Sequence, residues 1–493
     1  MEQALDNNLY LKLQNESIKQ RVARFGNKLY LEFGGKLFDD RHATRVFPGF
    51  QIDSKVKVLL SMKKDVEFII TVSADDIQDG KIRSDTGLSY EDETLRLIDE
   101  ITNVGLTICA VVITKYTHQP AVNVFRRLLK SFKIPTYIHQ PIKGYPHDID
   151  YVLSNEGFGQ NEYVKTSRPI VVVTAPGPGS GKMATCLSQI YLDDKRGIKS
   201  GYAKYETFPV WNLPLKHPIN LAYEAATADL NDVTMVDYYH YEKYQVAAVS
   251  YNRDMEVFPI LAKMFERIYG ESPYCSPTDM GVNMIGLAIS NNDSAIQAAK
   301  DEIIRRYYQA LWKNKTGRLS DEGLERIHYI VKSLNLDPQV DRIPVLPALK
   351  KAEEKNAPAV AILLNDGTLV TGKESARFTA GAAALINALK YLASINKKLH
   401  LLAPKLIETI QNLKKENMRS QSLRLSVNEV LITLAITATT NSFSEVALNQ
   451  TEFLAHAQAH SSIRMNSEDK QAYKELGIDV TSEPVQTSYF LKE

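Results

Sequence analysis

Val171-Val172-Val173-Thr174-Ala175-Pro176-Gly177-Pro178-Gly179-Ser180-Gly181-Lys182-Met183-Ala184-Thr185 is the stretch on which the reading of this chain turns. Pro169–Thr174 is a short apolar run rich in β-branched side chains, the pattern of a strand buried on both faces. It enters a loop of alternating glycine and proline, and from about Lys182 to Asp193 the sequence reads as a helix. Strand, glycine loop and helix in that order make an anion site. The glycines let successive amides turn inward, and the helix adds its unpaired N–H groups and positive dipole end. Lys182 brings a point charge to the terminal phosphates of a ligand.

The match to the phosphate-binding pattern G-x-x-x-x-G-K-[ST] departs at two positions. Pro176 stands where the first glycine belongs, and Met183 where the Mg²⁺-ligating hydroxyl belongs. Thr185 lies two residues further, rotated by about 200° around the helix, and Ser180 is a ligand candidate inside the loop. The expected cofactor is ATP or another phosphate-bearing ligand, with Mg²⁺ as its companion. The cofactor-binding candidates here are Gly177, Gly179, Ser180, Gly181, Lys182 and Thr185. The competing account is a glycine- and proline-rich connection with Lys182 merely solvated. The loop resembles the variant of formate–tetrahydrofolate ligase and dethiobiotin synthetase, and Gly201-Tyr202-Ala203-Lys204 is similar in kind to a strand of the latter.

Upstream, Lys28–Phe33, Glu67–Val72, Leu106–Ile113 and Thr136–His139 read as strands. Tyr90–Asn103 and Pro120–Phe132 read as helices between them, the second with Pro120 in its first turn. Strands alternating with helices imply a parallel sheet covered on both faces. Downstream, Ile198–Lys204 reads as a strand, and Arg253–Tyr269, Ser294–Trp312 and Asp321–Leu334 as amphipathic helices. Three prolines in Asn335–Pro347 mark a boundary. Beyond it, Asn365-Asp366-Gly367 between two apolar runs predicts a hairpin. Helices are predicted over Thr379–Leu392, Leu402–Asn417, Val427–Thr439 and Ser444–Ala459, with an α+β tail over Ser467–Leu491. The expected fold class is α/β: two Rossmann-like parallel-sheet domains, 1–161 and 162–335, followed by a mostly helical α+β C-terminal domain, 336–493.

Long ordered loops at the carboxyl edge of such a sheet carry substrate contacts. Lys204 and Glu206 alternate with an aromatic residue and share one side if extended. With Lys182 and His217 they are the catalytic candidates, Glu206 as base or magnesium ligand and His217 as acid or base. Val233–Asp237 is an apolar run ending in an acid, similar to a Walker-B strand, and makes Asp237 the metal candidate. Near the start, Gly34, Gly35 and Lys36 end a strand in the form of a second anion turn, followed by Arg41 and Arg45. For each of these residues a salt bridge or a capped turn is the competing reading.

The chain has 493 residues, with 59 Lys and Arg against 58 Asp and Glu. That balance argues against nucleic acid or an anionic membrane as the main partner. The three cysteines are far apart, without a zinc spacing or a disulfide framework. Charges interrupt the N-terminus where a signal-peptide core would lie, and no stretch is long enough to span a bilayer, so the expected location is the cytoplasm.

Phe25–Asp40, Thr174–Thr185, Trp211–Asp229 and Asp366–Lys373 together resemble the bacterial family labelled domain of unknown function 1846, also uncharacterised protein family 0371. The resemblance covers essentially the whole chain. It implies a bacterial cytosolic protein with Rossmann-like N-terminal domains and a distinct C-terminal domain, and it implies no activity. Two functions stand open: an ATP-dependent kinase or ligase acting on a small carboxylate, or a non-catalytic binder of nucleotides or phosphometabolites acting as a regulator. A homo-oligomer with a small-molecule phosphate ligand is expected in either case. A third reading has the loop hold the phosphate of a sugar or coenzyme, with no nucleotide.

Overall fold

The computed structural model describes residues 2–83, 86–230 and 232–485. The chain forms two compact units. One comprises Met1–Glu224 with Asp232–Ala299, the other Ala225–Asn231 with Lys300–Glu493.

The first unit is built on seven parallel strands: β1 (Leu29–Phe33), β2 (Val66–Ser73), β3 (Thr107–Thr114), β4 (Thr136–Ile138), β5 (Ile170–Thr174), β6 (Gly201–Tyr205) and, beyond a two-stranded antiparallel hairpin of β7 (Thr234–Val236) and β8 (Val249–Tyr251), β9 (Gly281–Val282). Their order across the sheet is β4-β3-β2-β5-β1-β6-β9. The two parallel-sheet regions read from the sequence therefore share one sheet, because β5 inserts between β2 and β1. Every residue of β1, β2 and β5 is buried. Strands sheltered on both faces read as unbroken apolar runs, and each fully buried Val or Ile contributes about 1.5–3 kcal/mol.

Right-handed crossovers place helices moving toward β4 on one face and those moving toward β9 on the other. Helices Ser54–Leu60, Tyr90–Asn103 and Pro120–Ser131 belong to the first set, and Lys182–Asp194 to the second, where helix Asn252–Tyr269 packs beside it. The chain leaves β2 for β3 in one direction and leaves β5 for β6 in the other. Neighbouring strands with diverging connections leave a crevice at their carboxyl ends, and ligands of open α/β sheets bind there. The glycine loop follows β5 at this point.

The second unit holds a mixed sheet in the order β11-β10-β12-β13. Its strands are β10 (Ala359–Leu363), β11 (Leu369–Lys373), β12 (Gln458–Ser461) and β13 (Asp479–Ser482). The predicted hairpin forms, with Leu363 opposite Leu369 and Gly367 at φ 85°. One helix prediction needs correction. Ser444–Ala459 is helical only to Leu448, turns through Thr451–Leu454 and ends in β12. Pairing of Gln458–Ser461 between β10 and β13 outweighs local helix preference there. The tail folds as helix Ser467–Glu475 and β13, and residues 486–493 lie outside the described residues. Among the described residues no helix is long and apolar enough to cross a membrane.

Candidate functional site

The loop needs glycine for two separate reasons. Gly179 and Gly181 have φ of 75° and 80°, which side-chain-bearing residues rarely adopt. Gly177 has an ordinary φ, but a Cβ there would stand 2.3 Å from the Tyr90 hydroxyl. Tyr90 and Arg83 form one wall of the loop, the latter by donating to the Pro176 carbonyl. Thr114, at the end of β3, donates to the Ser180 carbonyl at 3.0 Å and braces the far side.

Among the described residues, no carbonyl or side chain accepts from the main-chain amides of Gly179, Gly181, Lys182 or Met183. The Lys182 ammonium likewise has no ion pair or hydrogen bond among them. It is half-buried and closely surrounded by protein, and burial lowers its pKa, with Glu32 opposing and Lys204 and Arg253 assisting. Ser73, three residues beyond the β2 position that faces Thr174, is buried with a hydroxyl bonded to nothing among the described residues.

Two strands away, β6 ends in the second half of the site. In register, Val173, Glu32 and Lys204 form one row across β5, β1 and β6, with side chains on the face covered by helix Lys182–Asp194. Lys204 Nζ lies 2.6 Å from both oxygens of Asp254, in the first turn of helix Asn252–Tyr269. It is 3.0 Å from Glu206 Oε1, close enough for an ion pair but without hydrogen-bond alignment, so that buried oxygen has no hydrogen-bond partner among the described residues. Glu32 accepts the Tyr202 hydroxyl at 2.7 Å. Burial pushes Glu206 up to about 7; Lys204 pulls it back and Asp254 adds to the rise. Lys204 is held well above its ordinary value by Asp254, Glu206 and Glu32 against the cost of burial.

Gly281 leaves room for the Glu206 carboxylate, and Gly34 leaves room for the neighbouring Tyr205 carbonyl. A Cβ on Gly34 would meet the Tyr205 carbonyl at 2.8 Å, and one on Gly281 would meet Glu206 Oε2 at 3.1 Å. The elevated pKa of Glu206 sets a sign. The folded protein holds a proton on it between its unfolded value near 4.5 and about 7, which the unfolded chain does not. Its contribution to stability is therefore greatest at acid pH and is lost as pH rises through 7, by about 3 kcal/mol at most. Denaturant titrations of wild type and Glu206→Gln at several pH values are expected to show the wild type losing ground to the variant from about pH 5 to 8.

Lys182, Lys204, Glu206 and Gly34 come together at this carboxyl edge. Other sequence candidates do different work. Asp237 lies at the end of the separate β7–β8 hairpin. One of its oxygens caps helix Tyr238–Tyr244 through His240 N at 3.0 Å, and the other accepts from the Thr278 amide and hydroxyl at 2.9 and 2.7 Å. His217 opens helix Pro218–Ala226, accepting from the Ile219 amide at 3.4 Å. The Ser180 hydroxyl closes on the Gly177 carbonyl at 3.0 Å, and the Thr185 hydroxyl is buried inside the helix contact without a hydrogen bond among the described residues. Gly35 takes φ 70° beside the buried Lys55, which pairs with Asp40 at 2.7 Å, while Lys36 is exposed. Among the described residues, no group of three or more His, Cys, Asp or Glu is arranged to hold a metal. Sequence reasoning missed Asp254 as a site residue, since an acid in a helix's first turn reads as a dipole complement. Glu32 carried only the signal of an acid within an otherwise apolar strand.

A groove of about 900 Å³ lies elsewhere in the unit, between helix Asn7–Arg24 and residues 269–284. Its arginines are engaged: Arg24 donates to the Pro273 carbonyl at 2.6 Å, and Arg21 sits 5.3 Å from the Tyr274 ring centre. The ammonium and amides described above, without protein partners among the described residues, are at the loop.

Two family models match the chain: the domain of unknown function DUF1846, N-terminal, over residues 3–335, and its C-terminal counterpart over 340–490. The UPF0371 proteins of Streptococcus pyogenes serotype M3 and of Streptococcus uberis are each 50% identical over 482 residues, covering 98% of this chain and 97% of theirs. The glycine loop, Glu206 beside Gly281 and the seven-stranded sheet that joins them are thus carried by a member of the uncharacterised DUF1846 (UPF0371) family, to which this chain belongs.

Proposed function

We propose that the N-terminal unit binds a phosphate-bearing small molecule, a nucleotide or phosphorylated metabolite, on the loop Gly177–Lys182. The observation that carries this reading is the pair of unpartnered donor sets at the sheet's switch point: the loop amides and the Lys182 ammonium. The amides of Gly181, Lys182 and Met183 and the Lys182 ammonium belong to half-buried residues. Half-buried donors without acceptors are costly, and an anion satisfies them together. A second reading, phosphoryl transfer from ATP, is favoured by the Lys204–Glu206–Asp254 cluster on the same edge, with Glu206 near the pKa suited to proton transfer at neutral pH. A purely binding role is favoured by Met183, which offers no hydroxyl to magnesium.

Thermal unfolding with inorganic phosphate and with ATP, each with and without Mg²⁺, tests this. A ligand at about one hundred times its Kd adds about 2.7 kcal/mol to the unfolding free energy. Stabilisation by either ligand is the expected result; a melting temperature indifferent to both would refute the reading. Stabilisation by ATP that requires Mg²⁺ supports transfer, and stabilisation indifferent to Mg²⁺ supports binding alone.

A further inference from the structure

The charge around Glu206 says what the other end of the ligand carries. From the end of β5 to the end of β6 are two strand spacings, about 9–10 Å. A ligand with its phosphate on the loop crosses the end of β1 at Gly34 and reaches Glu206 over that distance. Four carboxylates gather there: Glu206, Asp254, Glu32 and Asp232. Two cations face them, Lys204 between Asp254 and Glu206, and Arg253, whose Nε is 2.8 Å from Asp232. The rings of Tyr223 and Tyr251, centred 5.4 Å apart, stand beside this cluster, with Lys204 Nζ 5.3 Å from the Tyr251 ring centre.

Lys204 is already neutralised by two carboxylates and Arg253 is paired with Asp232, so among the described residues neither cation at this end is left to receive a second anionic group. A carboxylate or a second phosphate placed there adds like charge to an acidic environment of low polarity, which is costly. A hydroxyl donates to Glu206 Oε2, the carboxylate oxygen on the Gly281 side, which accepts no hydrogen bond among the described residues; Oε1 is buried against Lys204. Gly281 keeps a side chain away from Oε2.

We infer that the ligand is a phosphorylated polyhydroxy compound of sugar-phosphate size, its phosphate on the loop at Lys182 and its distal hydroxyls on Glu206. This rests on the phosphate reading of the loop and narrows it. It replaces the small carboxylate expected from sequence with a neutral, hydroxyl-bearing end.

Isothermal titration of wild type, Glu206→Gln and Lys182→Met with glucose 6-phosphate, 3-phosphoglycerate and inorganic phosphate decides the matter. For the wild type, glucose 6-phosphate is expected to bind about tenfold more tightly than inorganic phosphate, and 3-phosphoglycerate no more tightly than inorganic phosphate. Glu206→Gln, nearly the same shape, is expected to erase most of the glucose 6-phosphate advantage and leave inorganic phosphate within about threefold of wild type. If 3-phosphoglycerate binds as tightly as glucose 6-phosphate, or if Glu206→Gln keeps the advantage, the polyol assignment falls while the phosphate site stands. If inorganic phosphate does not bind, or binds Lys182→Met as well as wild type, the phosphate reading falls and the assignment with it. The two organic phosphates, compared on the wild type alone, still separate these outcomes if a variant fails to fold.

Discussion

Replacing Lys204 with methionine is expected to lower the unfolding free energy of the N-terminal unit by about 3–5 kcal/mol, measured by chemical denaturation at neutral pH. Lys204 and Asp254 have side chains only 13% and 4% exposed. Removing the ammonium leaves Asp254 and Glu206 buried beside Glu32 with no counter-charge in their midst. Coulomb repulsion and desolvation then act together, whereas in the wild type the lysine offsets both. The pH dependence separates this cause from simple loss of packing. In the wild type, the raised pKa of Lys204 keeps its contribution constant below the unfolded value of 10.5, and that contribution is lost only at higher pH. In the variant, the stranded carboxylates can relieve the penalty by taking up protons. The deficit is therefore expected to shrink toward pH 5 and to grow toward pH 8. A deficit equal at both would show that the aliphatic stem, not the charge, matters.

Lys182→Met is expected to do the reverse. The ammonium is desolvated without a partner among the described residues, so its removal should leave the melting temperature unchanged or slightly raised. Binding should suffer instead. A charge-assisted contact to phosphate is worth about 1.5–3 kcal/mol, so the Kd for inorganic phosphate or ATP should rise by about ten- to a hundredfold. At about one hundred times the wild-type Kd, the stabilisation by these ligands should fall from about 2.7 kcal/mol to about 0.4–1.4 kcal/mol. A residue whose removal costs binding while sparing stability is one the fold holds for a ligand. Equal loss of stability would place Lys182 among structural residues.

The two lysines lie at one carboxyl edge of the sheet, Lys182 after β5 and Lys204 near the end of β6, and yet differ in this way because of their surroundings. Lys204 arrives where helix Asn252–Tyr269 delivers Asp254, a residue 50 positions away in the chain. Lys182 arrives where the backbone itself carries the positive end of a helix dipole, and nothing anionic touches it among the described residues. Sequence alone gives both the same appearance: a lysine next to glycine or an aromatic residue after a strand.

Local rules made much of the first unit legible. Buried strands betray themselves by continuous β-branched runs, the loop by glycines at Gly179 and Gly181 with positive φ, and the helices by their spacing and caps. The alternation of Lys204 and Glu206 put both on one side from the pleat alone, and the structure brings them within 3.0 Å. Asp237 shows the limit. An apolar run ending in an acid looks the same whether it lies in the central sheet or in a hairpin outside it, and only the pairing of β7 with β8 distinguishes them.

What the sequence by itself determined was most of the elements and the glycine turn after β5, because these depend on periodicity, backbone freedom and neighbours within a few residues. What only the tertiary structure decided was that β5 enters between β2 and β1, making one sheet of two stretches, and that Glu32, Lys204, Glu206 and Asp254 form one charged cluster. Strand order and charge pairing join residues far apart in the chain. Their energies come from burial and Coulomb interaction across space, which leave no periodic trace along the sequence.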